Sequence, residues 1–493
     1  MDGMNMVKPE TRQSCLRREK FGHLGVVTGI YALFYTLCMY RNTAGVTYPF
    51  FIAGSLFFFC YCMRKLEITI KRGSTFYMGA MILLGISTVC TADGRIVFFN
   101  HLGVLLLMIS FLLHQFYDDS KWGFGKYLAS MIATLFGSIG EVTKPFTDFM
   151  HYRSRNGKKS GKGIYVLVGA CVSVPMVLVV WFLLMSADRV FMDMSEGLFD
   201  AINPDNIFGM VCSFVLMFLA AYGVLAYLGE KHLGEEVKEV KRMESALAIT
   251  VMVPLTLLYI VFCGVQVFCL FLGNVELTNM TYAEYARQGF FQLLFICILN
   301  LIMVLVGRHY FKESKVLKGI MTVVSVCTYI MIFSSAFRMV LYIKHYYLTF
   351  LRILVLWALA VIFMLLTGVL ISIYVRKFPL FRYGVIVVSV CYIALSFSKP
   401  DYWIATCNLG NVEKAEESFF DADAYQDYRY LSELSADAAP AILPYLEEKG
   451  YNIAEGTWGY RYLKDLRESV EDMSFREWNF SKYMAVKNLQ QYE

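Results

Sequence analysis

Long apolar segments recur along the whole chain, and polar loops separate them. Most of them hold 18 or more residues with almost no charge, which is enough for a helix to cross the roughly 30 Å hydrocarbon core of a bilayer. They lack the strict alternation of apolar and polar residues found in membrane β-strands, so helices are expected. We predict an all-α fold with eleven spans, at residues 23–40, 44–63, 75–92, 96–116, 164–185, 207–228, 247–272, 288–306, 316–337, 350–375 and 383–398.

The loops between these segments differ in their content of lysine and arginine. Alternate loops, together with the N-terminal segment 1–22, hold 28 Lys or Arg residues, whereas the loops between them hold six. Because Lys and Arg are enriched in cytoplasmic loops, the basic loops are predicted to lie inside the cell. The N-terminus is then cytoplasmic, and the odd number of spans places the C-terminus outside.

One further apolar segment, residues 127–139, is shorter than a span and has Lys126 before it and Lys144 after it. Its basic flanks suit either a helix lying on the inner membrane surface or a cytoplasmic helix that packs on the protein. If this segment crossed the membrane, the charge bias of every later loop would be reversed. We therefore predict that it does not span.

Composition agrees with this class. Of the 493 residues, 57% are hydrophobic and 17% are charged, whereas a soluble domain carries about 25% charged residues. The basic inner face suits anionic lipid headgroups, at about 1 kcal/mol for each well-placed Lys or Arg, and it is no evidence for nucleic-acid binding. Eleven of the thirteen cysteines lie in predicted spans, so neither a disulfide framework nor a metal or cofactor is expected.

The chain changes character after the last span. Residues 399–493 carry 10 Lys or Arg and 18 Asp or Glu, together with many aromatic residues, which predicts a small folded domain outside the membrane. Ser435 can cap a helix that ends near Gly450, and Ser474 with Glu477 has the spacing of a capping box. Because such a small domain has little core of its own, it is expected to dock on the outer ends of the spans.

Polar residues at these predicted outer ends form the candidate site. Arginine suits a phosphate or carboxylate ligand because its planar fork binds two oxygens, so one hypothesis is a ligand site where Arg338 and Arg352 meet Glu284. The other is a structural ion-pair network that ties helices together and seats the tail, since charges in membranes usually pair with one another. The candidate residues are Asp188, Arg189, Glu284, Arg287, Arg338, Tyr342, His345, Arg352, Asp401 and Asn408.

Several blocks of the second half resemble a known family. They read VPMVLVVWFLLMSADRVF, TYAEYARQGFFQLL, SSAFRMVLYIKHYYLTFLRILVL, KPDYWIATCNL, YLSELSADAAPAILPYL and REWNFSKYMAV. From about Val174 to the C-terminus the chain is similar to a family of bacterial multi-pass membrane proteins of unknown function. The resemblance implies a bacterial cell-membrane location and no particular activity. Tyr347 departs from the family pattern, in which a glycine is expected, and this bears on whether a tight bend precedes the tenth span.

Three classes of function fit these observations. The favoured class is a non-enzymatic membrane protein that acts in envelope sensing, regulation or assembly, with residues 399–493 offering a surface to an extracytoplasmic protein partner. The alternative is a transporter or lipid-handling protein that uses the Arg/Glu site. An intramembrane enzyme is the third class, and it would need converging nucleophilic or metal-binding residues, of which the sequence has no recognisable motif.

Overall fold

The computed structural model of the protein describes residues 11–119, 122–155, 180, 184, 187–188, 204–230, 243–268, 289–375, 377–416, 429–448, 457–471 and 474–489. Within these residues the fold is all-α, as predicted from the apolar segments. The described part holds no strand and one isolated bridge, between Met243 and Phe311.

The α-helices of the described residues are numbered here in chain order. They are α1 (Arg12–Glu19), α2 (Phe21–Met39), α3 (Thr47–Lys65), α4 (Ser74–Cys90), α5 (Gly94–Phe116), α6 (Phe124–Gly140), α7 (Lys144–Arg155), α8 (Pro204–Glu230), α9 (Ser245–Gln266), α10 (Phe290–Tyr310), α11 (Lys315–Tyr346), α12 (Phe350–Tyr374), α13 (Leu380–Phe397), α14 (Pro400–Glu416), α15 (Ala439–Glu448), α16 (Trp458–Glu471) and α17 (Phe480–Leu489).

Eight of the described helices, α2, α5 and α8–α13, are long and apolar enough to cross a membrane. The chain is therefore a multi-pass membrane protein. Helices α3 and α4 match two further predicted spans but are not among these eight, and α4, with 17 residues, is shorter than all of them. The predicted span at 164–185 lies outside the described residues except for Val180 and Leu184. The total of eleven spans and their orientation remain predictions.

The membrane helices form two packed groups. The core of the first comes from α2–α6 and α8 and includes Met81 and Phe111, and the core of the second comes from α9–α12 and includes Val324 and Leu366. Helix α13 packs against α12 of the second group and α4 of the first, and so joins them. Because lipid tails are as apolar as these side chains, close packing and interhelical hydrogen bonds hold such groups together.

Helices α14–α17 cover one end of the two groups, which we call the tail end; the other end is the basic end. The tail shares a third core with Ile96, Phe350 and Leu395 at the tail ends of α5, α12 and α13. Both predicted caps are confirmed. The Ser435 side chain caps the turn before α15, and Ser474 with Glu477 forms the capping box before α17.

Helix α6 contains the short apolar segment and runs across the first group. The Tyr127 hydroxyl, near its start, donates to the Ser110 carbonyl of α5 (3.0 Å), and the Ser138 carbonyl near its end approaches Gly223 of α8. Both contacts lie about 10 Å from the basic ends of α5 and α8, so the two ends of α6 lie at one depth. Its exposed large residues are apolar: Phe124, Leu128, Ile132, Leu135, Phe136 and Ile139.

Candidate functional site

The structure describes the side chains of six of the ten predicted site residues: Asp188, Arg338, Tyr342, Arg352, Asp401 and Asn408. Arg189, Glu284 and Arg287 lie outside the described residues, as does the side chain of His345. Asp188 is exposed, and its backbone N–H donates to the Leu184 carbonyl (3.0 Å).

Arg338 lies on α11 and is buried, with 7% of its surface exposed. One of its guanidinium nitrogens, Nη2, donates to Oε1 of Gln266 on α9 (2.9 Å), and the same oxygen accepts from the Ser334 hydroxyl (2.7 Å). Gln266 thus joins α9 to α11 through two donors. Helix α11 continues to Tyr346, nine residues beyond the predicted end of the span at residue 337.

The guanidinium of Arg352, near the start of α12, is directed to the end of α11. Its Nη1 donates to the carbonyls of Tyr346 and Tyr347, and the group lies over the ring of Tyr342 at 4.3 Å from the centroid. A cation at a helix C-terminus satisfies carbonyls that have no partner inside the helix. Among the described members of the predicted cluster, Tyr342 and Arg352 are therefore in contact, at the end of α11.

The chain makes a tight bend at Tyr347, where the family pattern has a glycine. Its φ of 64° and ψ of 178° lie in a region that is essentially reserved for glycine. The chain therefore makes this turn with a tyrosine, at a cost in backbone strain of about 1–3 kcal/mol. Asn408 of α14 holds the next residue, because its side-chain amide donates to the Leu348 carbonyl (3.0 Å) and accepts from the Leu348 N–H (2.9 Å).

Asp401, in the first turn of α14, is buried and pairs with a residue outside the predicted cluster. One carboxylate oxygen accepts from Arg95 at the start of α5, and the other accepts from the Ser435 N–H (3.0 Å). Arg95 also binds both oxygens of Asp93 (2.8 and 2.9 Å). Burial and the nearby charge of Asp93 raise the pKa of Asp401 despite the opposing charge of Arg95.

A second buried carboxylate, Asp437, comes from the turn before α15 and is fully buried. It accepts from the Thr91 hydroxyl and from the Ala92 N–H (3.0 Å), both in the α4–α5 turn. Its other oxygen accepts from the Ser481 hydroxyl and lies 3.8 Å from Nζ of Lys399. One carboxylate of the tail is thus bound by groups from the α4–α5 turn, the start of α14 and α17.

The amide of Asn479 completes this arrangement. Its Nδ2 donates to the Thr91 carbonyl (2.8 Å), and its Oδ1 accepts from the Ser481 N–H (3.0 Å). We call Asp93, Arg95, Asp401, Asp437 and Asn479 the tail seat.

Sequence reasoning identified one of these five residues, Asp401, as a site candidate. The signal for two others was the polar stretch Thr91–Arg95 between two apolar segments, which is unusually rich in hydrogen-bonding groups for so short a turn. Asp437 and Asn479 gave no comparable signal, because both stand among ordinary polar residues of the tail. Their importance follows from contacts hundreds of positions away in the chain.

The basic end holds a second buried charge cluster that the sequence did not reveal. Arg17 of α1 donates to Asp148 of α7 (2.6 Å) and to Glu230 of α8 (2.8 Å), and Glu230 also accepts from Lys144 (2.7 Å). The Tyr222 hydroxyl donates to Asp148 (2.8 Å). This cluster holds the short helices α1 and α7 against α8.

The chemistry of the tail seat is that of a structural joint. Its carboxylates are bound by N–H and O–H donors of the protein. Among the residues that the structure describes, no group of His, Cys, Asp and Glu side chains could hold a metal ion. Residues 78–445 match the family model described as a domain of unknown function, DUF4153. The chain belongs to the DUF4153 family. No curated protein and no solved structure matches it.

The DUF4153 match runs from α4 to α15. It therefore begins well before residue 174, where the sequence resemblance starts, and it ends before the last two helices. Four of the five tail-seat residues fall within it, and Asn479 lies beyond it. The description of the family model names no activity.

Proposed function

We propose that the protein is a non-enzymatic component of the cell envelope. In this proposal its C-terminal domain lies outside the membrane and acts in sensing, regulation or assembly by binding another envelope protein. The observation that carries the proposal is the tail seat, and above all the full burial of Asp437 among hydrogen-bond donors from the α4–α5 turn and from α17.

Burial of a carboxylate is costly unless donors are held in place around it. A tail attached only through its linker to α13 would have no need of such groups, because its outward surface is already polar. The tail seat instead gives the tail one orientation on α4 and α5. A fixed orientation is what a domain requires if it presents a surface to a partner or passes a change at that surface to the helices beneath it.

The charge bias of the loops supports an outside location for the tail. The 28 Lys or Arg residues of the basic loops would then lie in the cytoplasm, near anionic headgroups. Helix α6 would lie along the inner surface, with its exposed apolar face in the lipid. This arrangement suits its crosswise direction and its burial of the polar residues Ser130, Thr134 and Ser138.

Transport or lipid handling through an Arg/Glu site is less well supported. The guanidinium of Arg352 donates to two backbone carbonyls and lies over an aromatic ring. These contacts are typical of residues that join and cap helices.

Site-specific photocrosslinking tests the proposal. A photoreactive amino acid is placed at the exposed tail positions Glu447 and Asp465 and, as a control, at exposed Ser154 of the basic end. We expect a discrete protein adduct from the tail positions and none from Ser154. The variant Asp437→Asn, produced at the same level, should lose the adduct because the orientation of its tail is no longer fixed.

Two results would contradict the proposal. One is the absence of any discrete adduct from the tail positions. The other is a deletion strain of the source organism whose uptake or efflux of a solute changes while its envelope integrity does not, since this would indicate a transporter.

A further inference from the structure

A cavity of about 580 Å³ lies beside the tail seat, between the α2–α3 loop, the first turns of α5 and the tail. Arg41 comes from the loop, Val97, Phe98 and His101 come from α5, and Lys482 comes from α17. The cavity is large enough for a phosphate-sized headgroup with part of a chain, and the function proposed above makes no use of it.

Two cations lie at this cavity. Arg41 is exposed, and its guanidinium lies over the ring of Tyr40 at 5.8 Å from the centroid. Lys482 donates from Nζ to the Ser469 carbonyl (3.2 Å). Among the residues that the structure describes, no carboxylate lies within ion-pair distance of either cation, so both charges are open to an anion.

The acidic residue of the lining is already engaged. Glu477 accepts with one carboxylate oxygen from the Ser474 N–H (3.3 Å) and hydroxyl (3.1 Å), as part of the capping box. Its charge is therefore directed to the turn before α17. The lining as a whole carries one more positive than negative charge, without counting His101.

The wall contributed by α5 is apolar and continues down the helix. Phe98 is 65% exposed, and the exposed residues that follow it at helical spacing are Leu102, Leu105 and Leu106. Positions three and four apart lie on one face of a helix, so these residues form one apolar stripe. The stripe leads from the cavity along a helix long enough to cross the membrane, which is the path that an acyl chain would take.

We propose that this cavity binds the headgroup of an anionic phospholipid. Arg41 and Lys482 bind the phosphate oxygens, and the acyl chains lie along the stripe that begins at Phe98. A cationic rim above an apolar wall matches an amphiphile, whereas a free phosphate ion would use the rim alone. Binding is measured in micelles, so this inference does not depend on which side of the membrane the tail occupies, nor on a protein partner.

The test uses the purified full chain in a neutral detergent. Thermal unfolding is followed during titration with phosphatidylglycerol, with phosphatidylcholine as the neutral lipid and with inorganic phosphate as the free anion. We expect phosphatidylglycerol alone to raise the midpoint temperature. Arg41→Gln and Lys482→Gln should each weaken its apparent affinity about tenfold, as expected for the loss of one charge-assisted hydrogen bond.

Lys487→Gln is the matched control, because Lys487 is an exposed cation of the same helix outside the cavity. It should titrate like the wild-type protein. Equal shifts with both lipids would overturn the proposal, and so would unchanged affinity in both cavity variants. An equal shift with inorganic phosphate would overturn the lipid assignment in favour of a free-anion site.

Discussion

Asp437, in the turn before α15, accepts a hydrogen bond from the hydroxyl of Thr91, which lies 346 positions earlier in the chain. The same carboxylate oxygen accepts from the Ala92 N–H. This relationship joins the last quarter of the chain to a turn between two membrane helices. It implies that loss of this contact disorders both the tail and the α4–α5 turn.

Replacement of Asp437 by asparagine should destabilise the protein. The amide presents a donor where Thr91 or Ser481 also donates, and Lys399 loses its nearby negative charge. We expect a loss of about 2–4 kcal/mol in the free energy of unfolding, measured by unfolding in detergent, and faster proteolysis of the tail. Glu447→Gln, at an exposed tail position, should leave both unchanged. Equal free energies of unfolding and equal rates of proteolysis in the two variants would show that Asp437 does not stabilise the protein.

Replacement of Tyr347 by glycine should stabilise the turn between α11 and α12. Glycine adopts a φ of 64° without the clash of a Cβ atom, and the gain should be about 1 kcal/mol after the loss of side-chain contacts. Tyr347→Ala should show no comparable gain because alanine keeps the Cβ atom. Tyr346→Gly, within the last turn of α11, should lower the midpoint temperature instead. A stabilising Tyr347→Ala would refute strain as the cause.

Asp401 should make stability depend on pH in an identifiable direction. The pKa of Asp401 is higher in the folded protein than in the unfolded chain. As the pH falls, the folded protein therefore takes up a proton at Asp401 before the unfolded chain does, and the contribution of Asp401 to the free energy of unfolding increases. The difference in midpoint temperature between wild type and Asp401→Asn should therefore grow from about pH 7 towards about pH 4.

Asp119 provides a control of opposite sign. Although burial raises its pKa, hydrogen bonding and charge from His114 and Arg382 lower it overall. Its stabilising contribution is present above its unfolded pKa and is lost as pH falls through the folded value. The difference between wild type and Asp119→Asn should therefore shrink on acidification. A difference that shrinks on acidification for Asp401, or one that grows for Asp119, would contradict the assignment for that residue.

Arg17 and Arg12 should differ sharply, although both lie on α1. Arg17→Gln leaves Asp148 buried with a missing partner, which should cost about 3–5 kcal/mol in the free energy of unfolding. Arg12 pairs with Glu67 at the surface, where its side chain is 78% exposed, so Arg12→Gln should cost less than about 1 kcal/mol. Unfolding of the two variants in detergent measures the contrast, and similar losses would argue against the buried cluster.

Local signals in the sequence predicted much of this fold. The apolar segments predicted both ends of α2–α5, α8, α10, α12 and α13, and the starts of α9 and α11, within a few residues. The predicted end of the α9 span, at residue 272, lies outside the described residues. The span predicted for α11 ends at residue 337, whereas the helix continues to Tyr346 and includes Arg338 and Tyr342. In this part of α11 Arg338 donates to Gln266 of α9, and hydropathy along one segment cannot reveal a partner on another helix.

The caps of the tail were predictable because their contacts are local in the sequence, whereas the contacts of the tail seat are long-range and were not predictable. Ser435 and the Ser474–Glu477 pair act within three residues of themselves, so their spacing is visible in the sequence. The partners of Asp437 lie in the α4–α5 turn and on α17, and only the folded chain brings them together. Asp401 is a predicted site residue, but nothing in the sequence indicates that its partner is Arg95, 306 positions earlier in the chain.

The most direct measurement is the accessibility of two cysteines in intact cells of the source organism. Cys15 is an exposed natural cysteine near the N-terminus, and Glu468→Cys adds one to the exposed surface of the tail in a Cys407→Ser background. A membrane-impermeant maleimide should label the tail cysteine in intact cells and should label Cys15 only after lysis. Labelling of Cys15 in intact cells, with protection of the tail cysteine, would contradict a tail that works outside the membrane.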